Sequence, residues 1–432
     1  MLTYRFTREP RRWCSVLRPR APSSRIADLV FYLPRGFFVA RGEAREDQAD
    51  AHPVSRAVRG VLIEAVSDHE LLAQRRISAA DYLPTGDPPC EPPPVGGRLA
   101  VFSQTWQSIT QDPFILSVIS HGFQISVLDS FPGFLRQTTV TPLSRVKRAA
   151  IHKEIVALLS KEAIVQIDDF PSLCLSPIFV IPKVTGGLRV ILNLKDINVF
   201  IPVQHFRMET LAVILPQISA GDWAVSIDLR DAYLHVPIHV RYRRLLGFQF
   251  QGRTYQYRVL PFGLRDSPWV FTRLVASLVG YLRLRGVRIF HYLDDWLVVA
   301  GSEALLFDHL DLVLRTAQQL GFLINWEKSS LIPQRCPVYL GAVLNFPSRL
   351  ARPSDRRILA LRSVVYSLTA SPLAPARLWQ VFLGHLASFV DLVPHCRLLM
   401  RPLQLHFLGH FNPLSDPVEK LIPLPPPSNA FV

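Results

Sequence analysis

Apolar and polar positions divide this chain into stretches of different texture. Residues 1 to 95 carry short apolar runs and a proline cluster (Pro84, Pro88, Pro89, Pro92, Pro93, Pro94) but hold neither a 3.6-residue nor a two-residue period, so poor order is expected there. The texture changes at Gly96-Gly97. Phe102, Trp106, Ile109, Phe114, Ile115, Val118 and Ile119 then recur at roughly helical intervals and predict a helical lead-in that packs on the region C-terminal to it. The clearest amphipathic helix is predicted over 144–166, with Ala150, Ile151, Ile155, Leu158, Leu159 and Ala163 on one stripe and cations opposite.

Between 177 and 346 strand and helix patterns alternate. Two apolar strands, over 176–183 and 188–194, flank Thr185-Gly186-Gly187 as a hairpin-like turn; a helix is predicted near 209–219 and a strand over 223–229. Helices near 266–285 and 303–320 bracket a second hairpin over 287–300, and residues 338–346 read as one more strand. Helical patterns at 354–369 and 375–391 then lead into a proline-rich tail, expected to fray. No fixed-period repeat is present. The fold class this predicts is α+β.

With 432 residues, 49% of them hydrophobic, the chain can bury two or three substantial cores, which excludes wholesale disorder. A net charge of +14 points to a polyanionic partner, nucleic acid or an anionic membrane surface. Only seven of the 48 cations are lysines; the arginine excess suits phosphate and equally fits a bias in gene composition. Cys14, Cys90, Cys174, Cys336 and Cys396 are dispersed, odd in number and free of a C-x-x-C pair, which argues against a disulfide framework or structural zinc and for a reducing, intracellular setting, cytoplasm or nucleus. No apolar run reaches the roughly 18 to 20 residues of a membrane span, and no secretory signal is recognisable. The Arg-rich N-terminus is interrupted by Pro10, Pro19 and Pro22, which oppose an amphipathic targeting helix.

The strongest local chemical signal is Tyr292-Leu293-Asp294-Asp295-Trp296, two adjacent carboxylates at the tip of an apolar hairpin. In isolation such a pair is ordinary turn chemistry. A second acidic strand end, Ser226-Ile227-Asp228-Leu229-Arg230-Asp231-Ala232-Tyr233, changes its weight, because two such strands side by side would converge their carboxylates. Oxygen-rich clusters are what Mg²⁺ requires, and paired ions support in-line phosphoryl displacement, the chemistry of polymerases and nucleases.

Five ordered motifs carry a resemblance: Asp228 to Tyr233; Leu260-Pro261-Phe262-Gly263-Leu264 with Ser267-Pro268; Tyr292-Leu293-Asp294-Asp295; Gly321 to Lys328; and Tyr339-Leu340-Gly341. In this order they resemble the reverse transcriptases of retroelements over about 97–400. The segment from Gly96-Gly97-Arg98-Leu99 to Ile125 further resembles the DIRS-type, tyrosine-recombinase retrotransposon polyproteins. The resemblance implies a right-hand polymerase fold: an N-terminal region 1–95, a lead-in 96–149, fingers and a palm with an antiparallel sheet over 150–346, a helical thumb-like part over 347–410 and a tail over 411–432. It implies RNA-directed DNA synthesis from deoxynucleoside triphosphates on an RNA or DNA template-primer, with two Mg²⁺ ions that Mn²⁺ can replace.

Carried over by position, the resemblance implies that Asp228, Asp294 and Asp295 are catalytic and bind metal, joined by the carbonyl of Leu229. Lys183, Arg189, Asp231, Ala232, Tyr233, Phe262, Gly263 and Lys328 would line the nucleotide: Tyr233 beneath the sugar to exclude a 2′-hydroxyl, Phe262 and Gly263 near the base, Arg189 and Lys183 on the triphosphate, Lys328 toward the pyrophosphate. Against these stand plainer readings. A tyrosine after a strand is usually core, Pro261, Gly263 and Pro268 punctuate any loop, and surface lysines are usually solvated. Asn193, Asp196 and Asn198 are expected to be structural.

His235 and His239 have i, i+4 spacing, but Pro237 between them bars the helix that would aim both at zinc, so they are expected on a surface strand. Ser267 and Ser277 lack a nucleophile elbow. After 346 the acids Asp355, Asp391, Asp416 and Glu419 form no RNase H pattern, so a separate RNase H or recombinase chain, or a longer element, is expected. Two alternatives remain: a catalytically silent nucleic-acid-binding remnant of a retroelement, and a nuclease using the same acids.

Overall fold

The computed structural model describes residues 4–5, 92–136, 144–182 and 188–425. The chain divides into two compact units, one of Arg76–Glu209 and Val225–Pro333, the other of Met1–Arg75, Thr210–Ala224 and Gln334–Val432. Among the described residues no helix is long and apolar enough to cross a membrane. The expected poor order of 1–95 falls almost wholly outside the described residues.

In the first unit the predicted lead-in is a 3₁₀ turn at Arg98–Phe102 followed by helices α1 (Ser103–Ile109) and α2 (Pro113–His121). Asp112 caps α2 by accepting from the Phe114 N–H at 2.8 Å, and Pro113 supplies the φ that a first helical position needs. This segment is core: Leu99, Trp106, Ile115 and Ile119 are fully buried, and the Trp106 indole donates to the Leu320 carbonyl at 3.0 Å.

The predicted helix over 144–166 is shorter. Helix α3 (Arg145–Ser160) ends in a turn where Glu162 has φ 53°, and β1 (Ile164–Ile167) comes next as a strand. The apolar stripe runs on through Ala163 because Ala163 and Ile164 are buried in either conformation. What stops the helix is a contact from a distant segment: the Gly96 N–H donates to the Lys161 carbonyl at 2.7 Å, and a Cβ on Gly96 would lie 2.4 Å from the Glu162 carbonyl oxygen, so the close approach requires glycine.

The first predicted hairpin is β2 (Ile178–Pro182) against β3 (Leu188–Leu192), with Ile181 opposite Arg189. Strand β4 (Trp223–Asp228) ends at the acidic motif. The predicted helix near 209–219 is only a single turn at Leu211–Ile214 and a 3₁₀ turn at Leu215–Gln217, since Pro216 denies the interior an N–H. A hairpin missed in the sequence, β5 (Gly247–Phe250) and β6 (Arg253–Tyr257), turns through Gln251 (φ 51°) and Gly252 (φ 75°), the paired left-handed conformation of a tight hairpin; with β1 it forms a sheet of order β1-β6-β5.

Helix α4 (Ser267–Arg283) buries Val270, Phe271, Leu274, Val275, Leu278 and Leu282 on one stripe. It packs on β7 (Arg288–Tyr292), which pairs antiparallel with β8 (Asp295–Ala300). Helix α5 (Glu303–Gln319), capped by the Ser302 hydroxyl, lies on β8. With β9 (Ser330–Gln334) these strands form a sheet of order β9-β4-β8-β7. Trp296, Leu297, Val298, Val299 and Ala300 are all buried, so β8 is a central strand with both faces covered.

In the second unit the stretch 338–346 is two strands, not one. Strands β10 (Val338–Tyr339) and β11 (Ala342–Asn345) turn through Leu340 (φ 47°) and Gly341 (φ 71°), and β12 (Leu350–Pro353) extends the sheet, pairing also with Tyr4–Arg5. Helices α6 (Asp355–Thr369) and α7 (Ala376–Ala387) match the predicted patterns, with strand β13 (Leu373–Pro375) between them. A third, α8 (Cys396–His410), is masked in the sequence by its internal Pro402. The three share a core in which Trp379, Phe382 and Phe407 pack together. Of the tail expected to fray, the described part forms β14 (Leu421–Pro423) against β13, with Ile422 fully buried, and residues 426–432 lie outside the described residues.

Candidate active site

Three segments meet at the end of β4. The Leu229 N–H donates to the Asp294 carbonyl at 2.9 Å, so the last turn of one acidic motif lies beside the tip of the other. On the opposite side the segment Phe322 to Asn325 runs antiparallel: Arg230 N–H donates to the Leu323 carbonyl at 2.8 Å, and Asn325 N–H to the Asp228 carbonyl at 2.8 Å.

The hairpin tip is held in a strained shape. Tyr292 pairs with Asp295 across a two-residue turn in which Leu293 has φ 55°, an unfavourable conformation for a branched side chain. The buried Trp296 indole donates to the Leu293 carbonyl at 3.1 Å and fixes it. Strain of this kind is kept where surrounding contacts enforce it.

Asp228 is nearly enclosed. Its Oδ1 accepts from the Asn325 carboxamide at 2.8 Å, and Lys328 Nζ stands 3.8 Å from the same oxygen with its own side chain 70% exposed. Burial, and then the charges of Asp294 and Asp228, raise the Asp295 carboxyl to about 6, with Lys328 opposing. The three carboxylates therefore share one electrostatic neighbourhood. Hard oxygen donors that repel one another suit a divalent cation. Among the described residues, however, no three His, Cys, Asp or Glu side chains stand close enough to grip one ion alone. An ion here would take fewer carboxylates and complete its shell with carbonyl, water or phosphate oxygens, as Mg²⁺ does.

Tyr233 lies in a 3₁₀ turn (Ala232–His235) just past β4. Its ring sits 5.1 Å from Phe262 and 5.5 Å from Phe271, and burial, with Asp294 and Tyr292, holds its phenol protonated far above the usual range. Phe262 is 53% exposed, an open aromatic surface beside a buried one. Gly263 has φ 101°, and a Cβ there would meet the Leu192 carbonyl oxygen at 2.7 Å. Asn198 clamps this loop, donating to the Gly263 carbonyl at 2.8 Å and accepting from Arg265 N–H at 2.9 Å, while the Ser267 hydroxyl donates to the Pro261 carbonyl at 2.9 Å. The contacts of Asn198 fit the structural role expected of it.

Other expected site residues differ. Asp231 adopts φ 55°, and its carboxylate pairs with Lys161 at 2.8 Å and stands 3.8 Å from Arg230 Nε; Ala232 is buried. Arg189 is described only through its backbone in β3, and Lys183 lies outside the described residues. His235 corrects the expectation of a surface strand: it is fully buried 6.0 Å from the Phe322 ring, and burial, with Arg98 and Arg230 nearby, pushes its imidazole down to about 3. His239 instead caps the next 3₁₀ turn, accepting from Arg241 N–H. Asn325, Ser329 and Trp296 contact the acidic motifs; Trp296 and Asn325 lie inside motifs quoted from the sequence without a role of their own, and Ser329 lies one residue past the Gly321-to-Lys328 motif.

Residues 181–344 match the family model for reverse transcriptase (RNA-dependent DNA polymerase). The Gag-Pol polyprotein of Walleye dermal sarcoma virus is 26% identical over 320 residues, covering 73% of this chain and 16% of that polyprotein. The Transposon Tf2-3 polyprotein of Schizosaccharomyces pombe is 24% identical over 187 residues, covering 43% of this chain and 14% of its own length. A foamy viral protease-reverse transcriptase solved with double-stranded DNA shares the fold, with a TM-score of 0.53 and 17% identity over 78% of this chain and 60% of that one. This chain therefore spans a small part of the polyproteins it matches. Within it, residues 181–344 are similar to the reverse transcriptase (RNA-dependent DNA polymerase) family and to the corresponding stretch of these retroelement polyproteins.

Proposed function

We propose that this chain catalyses template-directed DNA synthesis for a retrotransposon of the DIRS-like kind, joining a primer 3′-hydroxyl to the α-phosphorus of a deoxynucleoside triphosphate and releasing pyrophosphate. The observation that carries the reading is the hydrogen bond from Leu229 to Asp294, which brings Asp228 beside the Asp294-Asp295 turn. Asp228, Asp294 and Asp295, with the Leu229 carbonyl, would hold two Mg²⁺ ions, or Mn²⁺ in their stead; when bound these supply activation of the hydroxyl and stabilisation of the departing oxygen.

The residues of the chain orient the reactants. Tyr233, protonated and packed against Phe262 and Phe271, would form an apolar floor for a deoxyribose and disfavour a 2′-hydroxyl. Phe262 and Gly263 face the base, the Asp231-Ala232 backbone lies along the triphosphate, and Arg189 and Lys183 bring cations to it. Lys328 balances charge on the pyrophosphate side. The net charge of +14 supports binding along a template-primer backbone, weakening as salt rises. The DIRS-like assignment rests on the sequence resemblance of the Gly96-to-Ile125 lead-in.

Primer extension on an RNA template with Mg²⁺, comparing the intact chain with Asp294→Asn, tests the reading. Extension by the intact chain and none by the variant is expected. Template-primer binding without extension by either would leave a silent nucleic-acid-binding protein, and cleavage without incorporation would leave a nuclease.

A further inference from the structure

The end of β4 is tied to the turn after Ile324 by a closed ring of hydrogen bonds. Asp228 N–H donates to the Ser329 hydroxyl oxygen at 3.0 Å, that hydroxyl donates to the Asn325 carbonyl at 2.7 Å, and Asn325 N–H donates to the Asp228 carbonyl at 2.8 Å. The backbone of Asp228 is thereby satisfied in both directions without its side chain. The Asn325 carboxamide then adds a further contact, to Asp228 Oδ1 at 2.8 Å. A strap needing only to hold the strand would be complete without it.

We propose that Asn325 is a positioning residue for Asp228, a role that rests on the reading of Asp228 as a cation ligand. By donating to Oδ1 it fixes the carboxylate's rotation and commits that oxygen to the protein, so that cation binding falls to Oδ2. A neutral donor suits the position. It steadies a carboxylate that shares its surroundings with Asp294 and Asp295, yet brings no positive charge to compete with the cation. Lys328, at 3.8 Å and largely exposed, is too loosely held to do the same. Groups that orient a ligand in this way typically affect metal affinity by about 10- to 100-fold.

The test uses the full chain and Mn²⁺ as the probe. Mn²⁺ affinity is read by electron paramagnetic resonance without nucleotide or primer, and thermal melting reports the fold. Asn325→Leu keeps the volume and removes the donor; Asn325→Ala serves if the leucine variant does not fold. About tenfold weaker Mn²⁺ binding is expected, together with a similar rise in the Mg²⁺ concentration that half-saturates primer extension and a turnover largely recovered at high Mg²⁺. Unchanged Mn²⁺ affinity in a folded variant overturns the proposal, as does failure of both variants to melt cooperatively, which would assign Asn325 to the fold. Asp228→Asn run alongside separates the two levels: if it binds Mn²⁺ like the unaltered chain, the reading of Asp228 itself is wrong, whereas loss there but not in the Asn325 variants removes only the positioning role.

Discussion

Leu229 and Asp294 are joined by one backbone hydrogen bond of 2.9 Å, and through it two acidic motifs distant in sequence become neighbours. The bond joins backbone atoms only, so charge can be removed at Asp294 without breaking it. Asp294→Asn should therefore keep the fold and its melting temperature while primer extension falls about a thousandfold or more, roughly 4 kcal/mol of barrier. Comparable losses in fold and activity would mean that the carboxylate serves the structure instead.

The ring pair of Tyr233 and Phe262, 5.1 Å apart, gives a second expectation. Tyr233→Ala removes the floor on which a deoxyribose would rest and opens space for a 2′-hydroxyl. Discrimination between deoxy- and ribonucleoside triphosphates, measured as the ratio of their kcat/KM values, should fall by roughly 10- to 100-fold. An unchanged ratio would return Tyr233 to the plain core role its burial also fits.

Gly263 answers to sterics alone. Its φ of 101° is one that side-chain-bearing residues avoid, and an added Cβ would sit 2.7 Å from the Leu192 carbonyl oxygen, which is backbone and cannot swing away. Gly263→Ala should cost on the order of 1–3 kcal/mol in urea unfolding. A smaller cost would show that the loop can shift away from β3.

These residues also show how far sequence reading reaches. The acidic motifs and the 267–283 helix are legible because each carries its own signal, paired carboxylates in one and a repeating apolar stripe in the other. The end of α3 is not, since Ala163 and Ile164 are buried whether helical or extended, and what stops the helix is Gly96, remote in sequence. The break at Leu340-Gly341 is concealed because apolar residues on both sides read as one run. Asn325 lies inside the Gly321-to-Lys328 motif, yet its contact is not legible there: the asparagine gains this meaning only when folding brings it to Asp228.

Asp266 supplies a pH dependence away from the acid cluster. It is buried at the start of α4 with one carboxyl oxygen unpartnered, and burial raises it to about 6, with Arg265 opposing. A carboxyl whose folded value lies above its unfolded value of 3.8 binds its proton more tightly when folded. Its favourable contribution is full below pH 4 and is lost as pH rises through about 6. Asp266→Asn should therefore flatten this part of the stability profile between pH 4 and 6 and be the more stable protein at pH 7, as read by urea midpoints across that range.

Ile422 offers the last test, in the other unit. It is the fully buried residue of β14, opposite Ala374 on β13, in the core that contains Trp379 and Phe407. The surrounding prolines suggest fraying, but proline forbids only hydrogen-bond donation at its own nitrogen, and a two-stranded ribbon tolerates Pro375 and Pro423 at its ends. One apolar anchor between them then suffices to hold the segment. Ile422→Ala should destabilise this unit by about 2–5 kcal/mol, and hydrogen exchange should rise across β13 and β14 while the amides of β4 and β8 keep their protection. Equal loss of protection in β4 and β8 would instead mean that the two units unfold as one.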